Sequence, residues 1–193
     1  MSNDAIQVIR EEHAALAAML RSLGMLIQRG PRDKRDRFFE TVRWMLFYID
    51  EFPEKHHHRN ESKHLFPAIL KGAPELRPVI DRLEDEHCNG ERRVRELQHL
   101  LMAWEILGDS RREAFESEFD TYLRFYLEHM QIEETQLLPL ARRLMAQSDQ
   151  QALDESFRVR RDPLAGGLRS PEYEALFTRI VQLAPAPIGL ADE

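Results

Sequence analysis

The sequence predicts an all-α protein: an up-down-up-down four-helix bundle with a C-terminal extension that contains a short helix. Apolar residues recur at steps of three and four through four long segments, which is the periodicity of amphipathic helices. No segment alternates apolar and polar residues over several positions, as a half-buried strand does. Short connections between the segments favour antiparallel neighbours and therefore a bundle.

The first and third segments each carry one histidine within the apolar stripe. The first begins at a capping residue, Asn3 or Asp4, and contains His13. The third runs from about residue 74 to 107 and contains His87. A bundle helix places such a position in the core. Taken alone, a histidine there indicates hydrogen-bonded packing more often than metal binding.

The second and fourth segments share a short motif, His-x-x-x-Glu-x-x-x-Leu-[Phe/Leu]-Pro. The second runs from about residue 33 to 70, and Pro53 should kink or interrupt it because proline lacks an N–H and clashes with the preceding turn. The fourth runs from about residue 111 to 147. The motif starts at His57 and again at His129, 72 residues later. Each half of the chain is therefore one helix with a seam histidine followed by one helix with this motif.

The spacing of these elements predicts a metal centre. Residues i and i+4 lie on one face of a helix, so each histidine of the motif shares a face with its glutamate. The two seam histidines and the two motifs all lie roughly 14–18 Å from the same end of an antiparallel bundle. Four imidazoles and two carboxylates can hold two metal ions, with two histidines on each ion and the carboxylates as bridges. Mixed nitrogen and oxygen ligation suits iron and, less well, manganese, whereas a structural zinc uses only four ligands. The predicted ligands are His13, His57, Glu61, His87, His129 and Glu133.

Several neighbouring residues remain open as contributors to this centre. Further ligands or groups at its rim can come from His56, His58, His64 and Glu91. Glu12, Glu84 and Asp85 are considered as carboxylates that orient a ligand histidine by accepting a hydrogen bond from its other ring nitrogen. Tyr126 lies one turn before His129 in the seam, where it either packs in the core or donates a hydrogen bond to a bound oxygen species.

Composition excludes several classes of protein. The 193 residues carry 27 Lys and Arg against 34 Asp and Glu, a formal net charge of -7, which argues against nucleic acid or an anionic lipid surface as a partner. One cysteine permits neither an internal disulfide nor a thiolate cluster. No apolar run approaches the roughly 18 residues of a membrane span, and acids stand where a signal peptide has basic residues. We therefore expect a cytoplasmic protein without a membrane contact.

Two regions are expected along the chain. Residues 1–147 form the bundle, and residues 148–193 form an extension packed on it. The extension has a turn-rich stretch at residues 160–171 and a short helix from Pro171 to Leu183.

The six predicted ligands and the repeated Leu-[Phe/Leu]-Pro resemble the hemerythrin-like family, also called the HHE cation-binding domain, over about residues 4–146. The match is closer to bacterial members with four histidines and two glutamates than to the oxygen carriers with five histidines, because Glu91 stands where a fifth would be. The resemblance implies an oxo- or hydroxo-bridged pair of non-haem iron ions. It also implies that the two glutamates are bridges and the histidines terminal ligands.

Three functions are compatible with this centre. The first is a di-iron protein that binds or reacts with a small diatomic or peroxide ligand, namely O2, NO or H2O2. The second is an iron-binding sensor, or an iron store or donor, without turnover. The third is a bundle that a redox-inert metal merely stabilises. No nucleophile–base pair and no phosphate-binding loop indicates an organic substrate.

Overall fold

The computed structural model describes residues 4–159 and 171–191. Within these ranges four helical stretches form the bundle and no strand is present, which confirms the predicted all-α fold. The first stretch is α1 (Ala5–Arg29), and the Asp4 side chain caps it by accepting a hydrogen bond from the Ile6 N–H. It ends at Gly30, whose φ of 67° favours glycine.

The second stretch is a long helix that changes its winding twice. It consists of α2 (Arg35–Ile49), α3 (His58–Asn60) and α4 (Phe66–Gly72), with π-helical turns at Asp50–His57 and Glu61–Leu65 between them. Such turns place an extra residue in the helix and occur often at functional sites.

The third stretch is regular and the fourth is again interrupted. The third is α5 (Arg77–Leu107), after a single 3-10 turn at Pro74–Leu76. The fourth consists of α6 (Arg112–Ile132) and α7 (Leu138–Leu144), joined by a π-helical turn at Glu133–Leu137. No helix in the described ranges combines the length and the hydropathy that crossing a bilayer requires.

The C-terminal region contains two helices, not the one predicted. The fourth stretch ends at Leu144 because Met145 is extended, and a separate helix, α8 (Gln147–Val159), begins there. The predicted short helix is present as α9 (Pro171–Leu183), while the turn-rich stretch before it lies outside the described residues. The division into a bundle and an extension stays a prediction.

Both helices contribute to the interior of the bundle. Leu153 and Phe157 of α8 are each 1% exposed and join the apolar cluster near the start of α1. Leu176 and Ile180 of α9 join a second, larger apolar cluster, which includes most of α2. A layer of buried polar side chains lies between the two clusters, and it holds the candidate site.

Candidate metal centre

All six predicted ligand residues meet in this polar layer. Each is at most 7% exposed, and the two glutamates are fully buried. The six are His13, His57, Glu61, His87, His129 and Glu133. Burying two carboxylates away from water costs several kcal/mol unless cations or hydrogen bonds compensate. The layer therefore needs positive charge to be stable.

The four histidines form two close pairs. The Nε2 atoms of His13 and His57 are 3.1 Å apart, and so are those of His87 and His129. Two nitrogen ligands in adjacent positions of one ion, each about 2.1 Å from it, lie about 3 Å apart when they meet at a right angle. Each pair thus has the separation of two neighbouring ligands of one metal ion.

The two carboxylates lie between the histidine pairs. Glu61 places Oε1 3.1 Å from the Nε2 of His57 and Oε2 3.7 Å from the Nε2 of His87. Glu133 places Oε2 3.2 Å from the Nε2 of His13 and Oε1 3.3 Å from the Nε2 of His129. Each carboxylate therefore directs one oxygen to each pair, as a carboxylate that bridges two metal ions does.

The carboxylate oxygens are not occupied by other donors. Within the described ranges, none of the four oxygens of Glu61 and Glu133 accepts a hydrogen bond of normal geometry. Buried carboxylates in folded proteins nearly always have such partners, so their absence needs an explanation. Four imidazole nitrogens and four uncommitted carboxylate oxygens around one small volume fit bound metal ions.

Two glutamates orient the histidines of the motif helices. The Nδ1–H of His57 donates to Glu12 over 2.7 Å, and that of His129 donates to Glu86 over 2.9 Å. A neutral imidazole that donates from Nδ1 keeps its lone pair on Nε2. These bonds therefore turn the free nitrogens toward the centre.

The seam histidines are oriented from the opposite half of the chain. The Nδ1–H of His13 donates to Glu134 over 3.1 Å. The Nδ1–H of His87 donates to the hydroxyl of Ser62 over 3.2 Å, and that hydroxyl donates to Glu84 over 2.8 Å. Ser62 and Glu134 occupy equivalent positions of the internal repeat, so the repeat includes residues beyond the predicted ligands.

The sequence predicted some of the residues that accept hydrogen bonds from the candidate ligand histidines. Glu12 was considered and contacts His57 directly, and Glu84 acts through Ser62. Asp85, also considered for this role, is exposed. The missed Glu86 had a signal, because Glu-His occurs at 12–13 and again at 86–87, and in both copies the glutamate contacts the histidine of the next helix.

The charges of the cluster raise the pKa of three histidines, and for His13 contacts with Glu133 and Glu134 outweigh the lowering by burial. Burial lowers the pKa of His57, but the negative charge of Glu61 and contact with Glu12 outweigh burial and move it well above its usual value. Burial likewise lowers the pKa of His129, and the charge of Glu133 reverses the shift and raises the pKa to about 10. Without metal, His57 and His129 hold protons at neutral pH.

The pKa values of the other members of the cluster shift in both directions. Burial, joined by the neighbouring imidazoles, holds the pKa of His58 and His87 well below the usual value, so both are neutral. Burial and the charge of Glu133 raise the pKa of Glu61. Burial also raises the pKa of Glu133, but His129 and His13 outweigh it and bring that pKa well below normal.

The repeated prolines explain the winding of the helices at the site. Pro67 and Pro139 follow Glu61 and Glu133 by six residues, and each requires room at the carbonyl four residues before it. In both copies a π-helical turn starts at the glutamate, whose carbonyl accepts a hydrogen bond from the N–H five residues later. Pro53 is likewise accommodated in a π-helical turn. The helices continue through the prolines instead of ending there.

The other residues that the sequence left open lie at different distances from the centre. Glu91 is directed away and binds Arg95 over 3.1 Å. His56 and His64 are partly exposed and belong to neither group of convergent donors. Tyr126 is buried with its ring 6.0 Å from that of His129.

His58, which the sequence left open as a further ligand or a group at the rim, lies inside the cluster. It is 4% exposed, and its ring stacks on His87 with centroids 4.0 Å apart. Donor atoms of His58, Glu61, His87 and His129 all lie within 4.8 Å of one another. The sequence could not decide between these positions, because no carboxylate lies four residues after His58.

A small cavity adjoins one histidine pair. Its volume is about 10 Å³, close to the minimum that one water molecule requires. Its walls are formed by Glu12, His13, Leu16, Phe52, Pro53 and His57, with His56 at the side. The π-helical turn at Asp50–His57 supplies much of this lining.

Comparison with known proteins identifies the family. The sequence model of the hemerythrin HHE cation-binding domain matches residues 4–141, more than half of the chain. No curated protein and no solved structure shows a significant match. The matched range contains the first three bundle stretches, α6, the start of α7 and the whole buried cluster of histidines and glutamates. The chain belongs to the family of hemerythrin HHE cation-binding domains.

Proposed function

We propose that this protein is a non-haem di-iron protein that binds or reacts with a small ligand such as O2, NO or H2O2. The single observation that carries the proposal is the pair of fully buried carboxylates, each directed with one oxygen to each of two histidine pairs. One ion at His13 and His57 and a second at His87 and His129 would neutralise both carboxylates. Iron in this environment would supply reversible electron transfer and open coordination positions for a small ligand.

The protein's own contribution is to hold neutral donors in fixed directions. Glu12, Glu86 and Glu134 each accept an Nδ1–H of one histidine, and Ser62 accepts the fourth. These contacts keep the Nε2 lone pairs directed inward and increase the basicity of the rings. They also provide negative charge close to the centre, which favours a higher oxidation state of a bound metal.

The cavity beside His57 limits what can reach the centre. Leu16, Phe52 and Pro53 make part of its wall apolar, and its volume of about 10 Å³ has room for roughly one water-sized group. An organic substrate of ordinary size needs a pocket of roughly 300 Å³ or more. A cavity of this size favours the smallest ligands, such as O2, NO or H2O2, over an organic substrate.

Absorption spectroscopy of the iron-loaded protein tests this function. We expect the reduced protein to change its spectrum on addition of NO, O2 or H2O2, with saturation near one ligand per centre. The Glu133→Ala variant should lose both the metal and this response. If the wild-type protein holds iron but none of the three ligands alters its spectrum, the ligand proposal is wrong and an iron store or donor is favoured.

A further inference from the structure

A second pocket, of about 180 Å³, lies at the end of the bundle where the chain passes from α1 to α2. One water molecule needs roughly 10–15 Å³ and a drug-sized ligand roughly 300 Å³ or more, so this pocket has room for a small organic molecule. Its wall is built from α1, the connection at residues 30–34, α2 and the end of α9. Leu26 in this wall follows His13 by 13 residues, about 20 Å along α1 at 1.5 Å per residue. The pocket is therefore separate from the candidate metal centre.

Part of the wall of this pocket is apolar. Leu26 and Phe38 are 3% and 4% exposed, and both belong to the larger apolar cluster of the bundle. Leu183 of α9 and Pro185 just after it are half-buried. A short hydrocarbon group gains affinity when it moves from water to such a wall, about fourfold for each CH2 that is fully buried.

Basic side chains form much of the remaining wall. Residues 29–37 contain five Lys and Arg against two Asp, a local charge of +3 in a chain whose formal net charge is -7. Four of these basic residues line the pocket, against one acidic residue, Asp33. The four are Arg29, Arg32, Lys34 and Arg37. Positive charge concentrated in a concave site attracts an anion, so we call this site the basic pocket.

Two of these arginines retain donors for an anion. Arg29 donates to the carbonyl of Ala186 over 2.6 Å, which uses one of the five N–H groups of its guanidinium. In the part of the chain that the structure describes, neither Arg29 nor Arg32 forms an ion pair with a carboxylate.

The backbone at Arg32 is strained. Its φ of 43° lies in the left-handed region, which glycine or asparagine adopts at less cost. Strained backbone of this kind clusters at ligand sites. The guanidinium is what an arginine adds at this position.

We propose that the basic pocket binds a small organic anion, namely a carboxylate with a short apolar body. The carboxylate accepts hydrogen bonds from Arg29 and Arg32, because a guanidinium and a carboxylate match in geometry and charge. The apolar body lies against Leu26 and Phe38. Since the end of α9 forms part of the wall, a bound molecule also holds the C-terminal region on the bundle. This site does not depend on the proposed metal centre.

Calorimetric titration of the full chain with hexanoate and with benzoate tests this proposal. We expect saturable binding of at least one of them with a dissociation constant of about 1 mM or below. Acetate and inorganic phosphate lack an apolar body and hexanol lacks the charge, so each should bind at least about tenfold more weakly. Amide hydrogen exchange should slow at residues 32–34 and at the end of α9 when the anion is bound.

Substitutions of the arginines locate the binding. Arg29→Gln and Arg32→Gln should each weaken hexanoate binding at least about tenfold, because each removes a charged donor. The matched control is Arg43→Gln, which makes the same charge change on α2 at a residue that pairs with Glu105 and lies outside the pocket. Circular dichroism of each variant verifies that the bundle has formed.

Several outcomes would overturn the proposal. The first is that neither hexanoate nor benzoate shows saturable binding, and the second is that inorganic phosphate binds as tightly as hexanoate. An equal loss in Arg43→Gln would mean that overall charge, and not the basic pocket, attracts the anion. We expect hexanoate to bind metal-free and iron-loaded protein equally. Binding that requires the metal and is unchanged in Arg29→Gln and Arg32→Gln would place the carboxylate at the metal centre and refute the pocket assignment.

Discussion

Glu86 offers a sensitive test of how the protein positions its ligand histidines. Its carboxylate accepts the Nδ1–H of His129 over 2.9 Å and an N–H of Arg82 over 2.7 Å, with only 13% of the side chain exposed. Glu86→Gln keeps the shape and removes the charge. A hydrogen bond to a charged group contributes about 1.5–3 kcal/mol and a neutral one about 0.5–1.5 kcal/mol. The loss of roughly 1–1.5 kcal/mol corresponds to about tenfold weaker metal binding.

Competition with a chromophoric chelator measures this change in affinity. The control is Glu91→Gln, which makes the same charge change on the same helix, at a glutamate that binds Arg95 instead of the centre. We expect tenfold weaker binding in Glu86→Gln and wild-type affinity in Glu91→Gln. An equal loss in both variants would mean that overall charge matters and that orientation of His129 does not.

Other predictions concern packing, protons and access. Phe157→Ala should lower the free energy of unfolding by about 3–5 kcal/mol in urea denaturation, because the ring is 1% exposed and packs 5.8 Å from the ring of His57; a loss below 1 kcal/mol would contradict that packing. Metal affinity should rise with pH, because His57 and His129 must release protons, the pKa of His57 being well above its usual value and that of His129 about 10; calorimetry in two buffers should show that release, and its absence would refute the assignment. In the metal-free protein the stabilisation from these raised pKa values is complete below about pH 6.5 and is lost as the pH rises toward 10, so an unfolding midpoint that climbs over this range would be contrary to expectation. Leu16→Phe should fill the cavity and weaken azide binding to the iron-loaded protein while two irons remain bound; unchanged azide affinity would show that ligands enter elsewhere.

Much of the centre was predictable because its residues occur in two copies of an internal sequence repeat. The repeated motif at His57 and His129 and the matched seam positions of His13 and His87 placed four elements at one level of an antiparallel bundle. Helical spacing alone carries that inference, since residues four apart share a face. The structure brings these residues together as expected, while their role as ligands stays a prediction.

The missed features depend on geometry that residue spacing does not encode. His58 is buried because a π-helical turn rotates the helix at that point, and ordinary helical periodicity predicts no such turn. Glu134 reaches across to His13 from the opposite half of the chain. The helix α8 was missed because Leu153 and Phe157 are its main core residues, too short a stripe to stand out.

The count of metal ions per chain tests the central claim most directly. Native mass spectrometry of the protein loaded with iron under anaerobic conditions should give two irons per chain in the wild type. His57→Ala and Glu133→Ala should each hold fewer than two. One ion per wild-type chain, or two ions retained in both variants, would contradict a di-metal centre built from the paired histidines and the two buried glutamates.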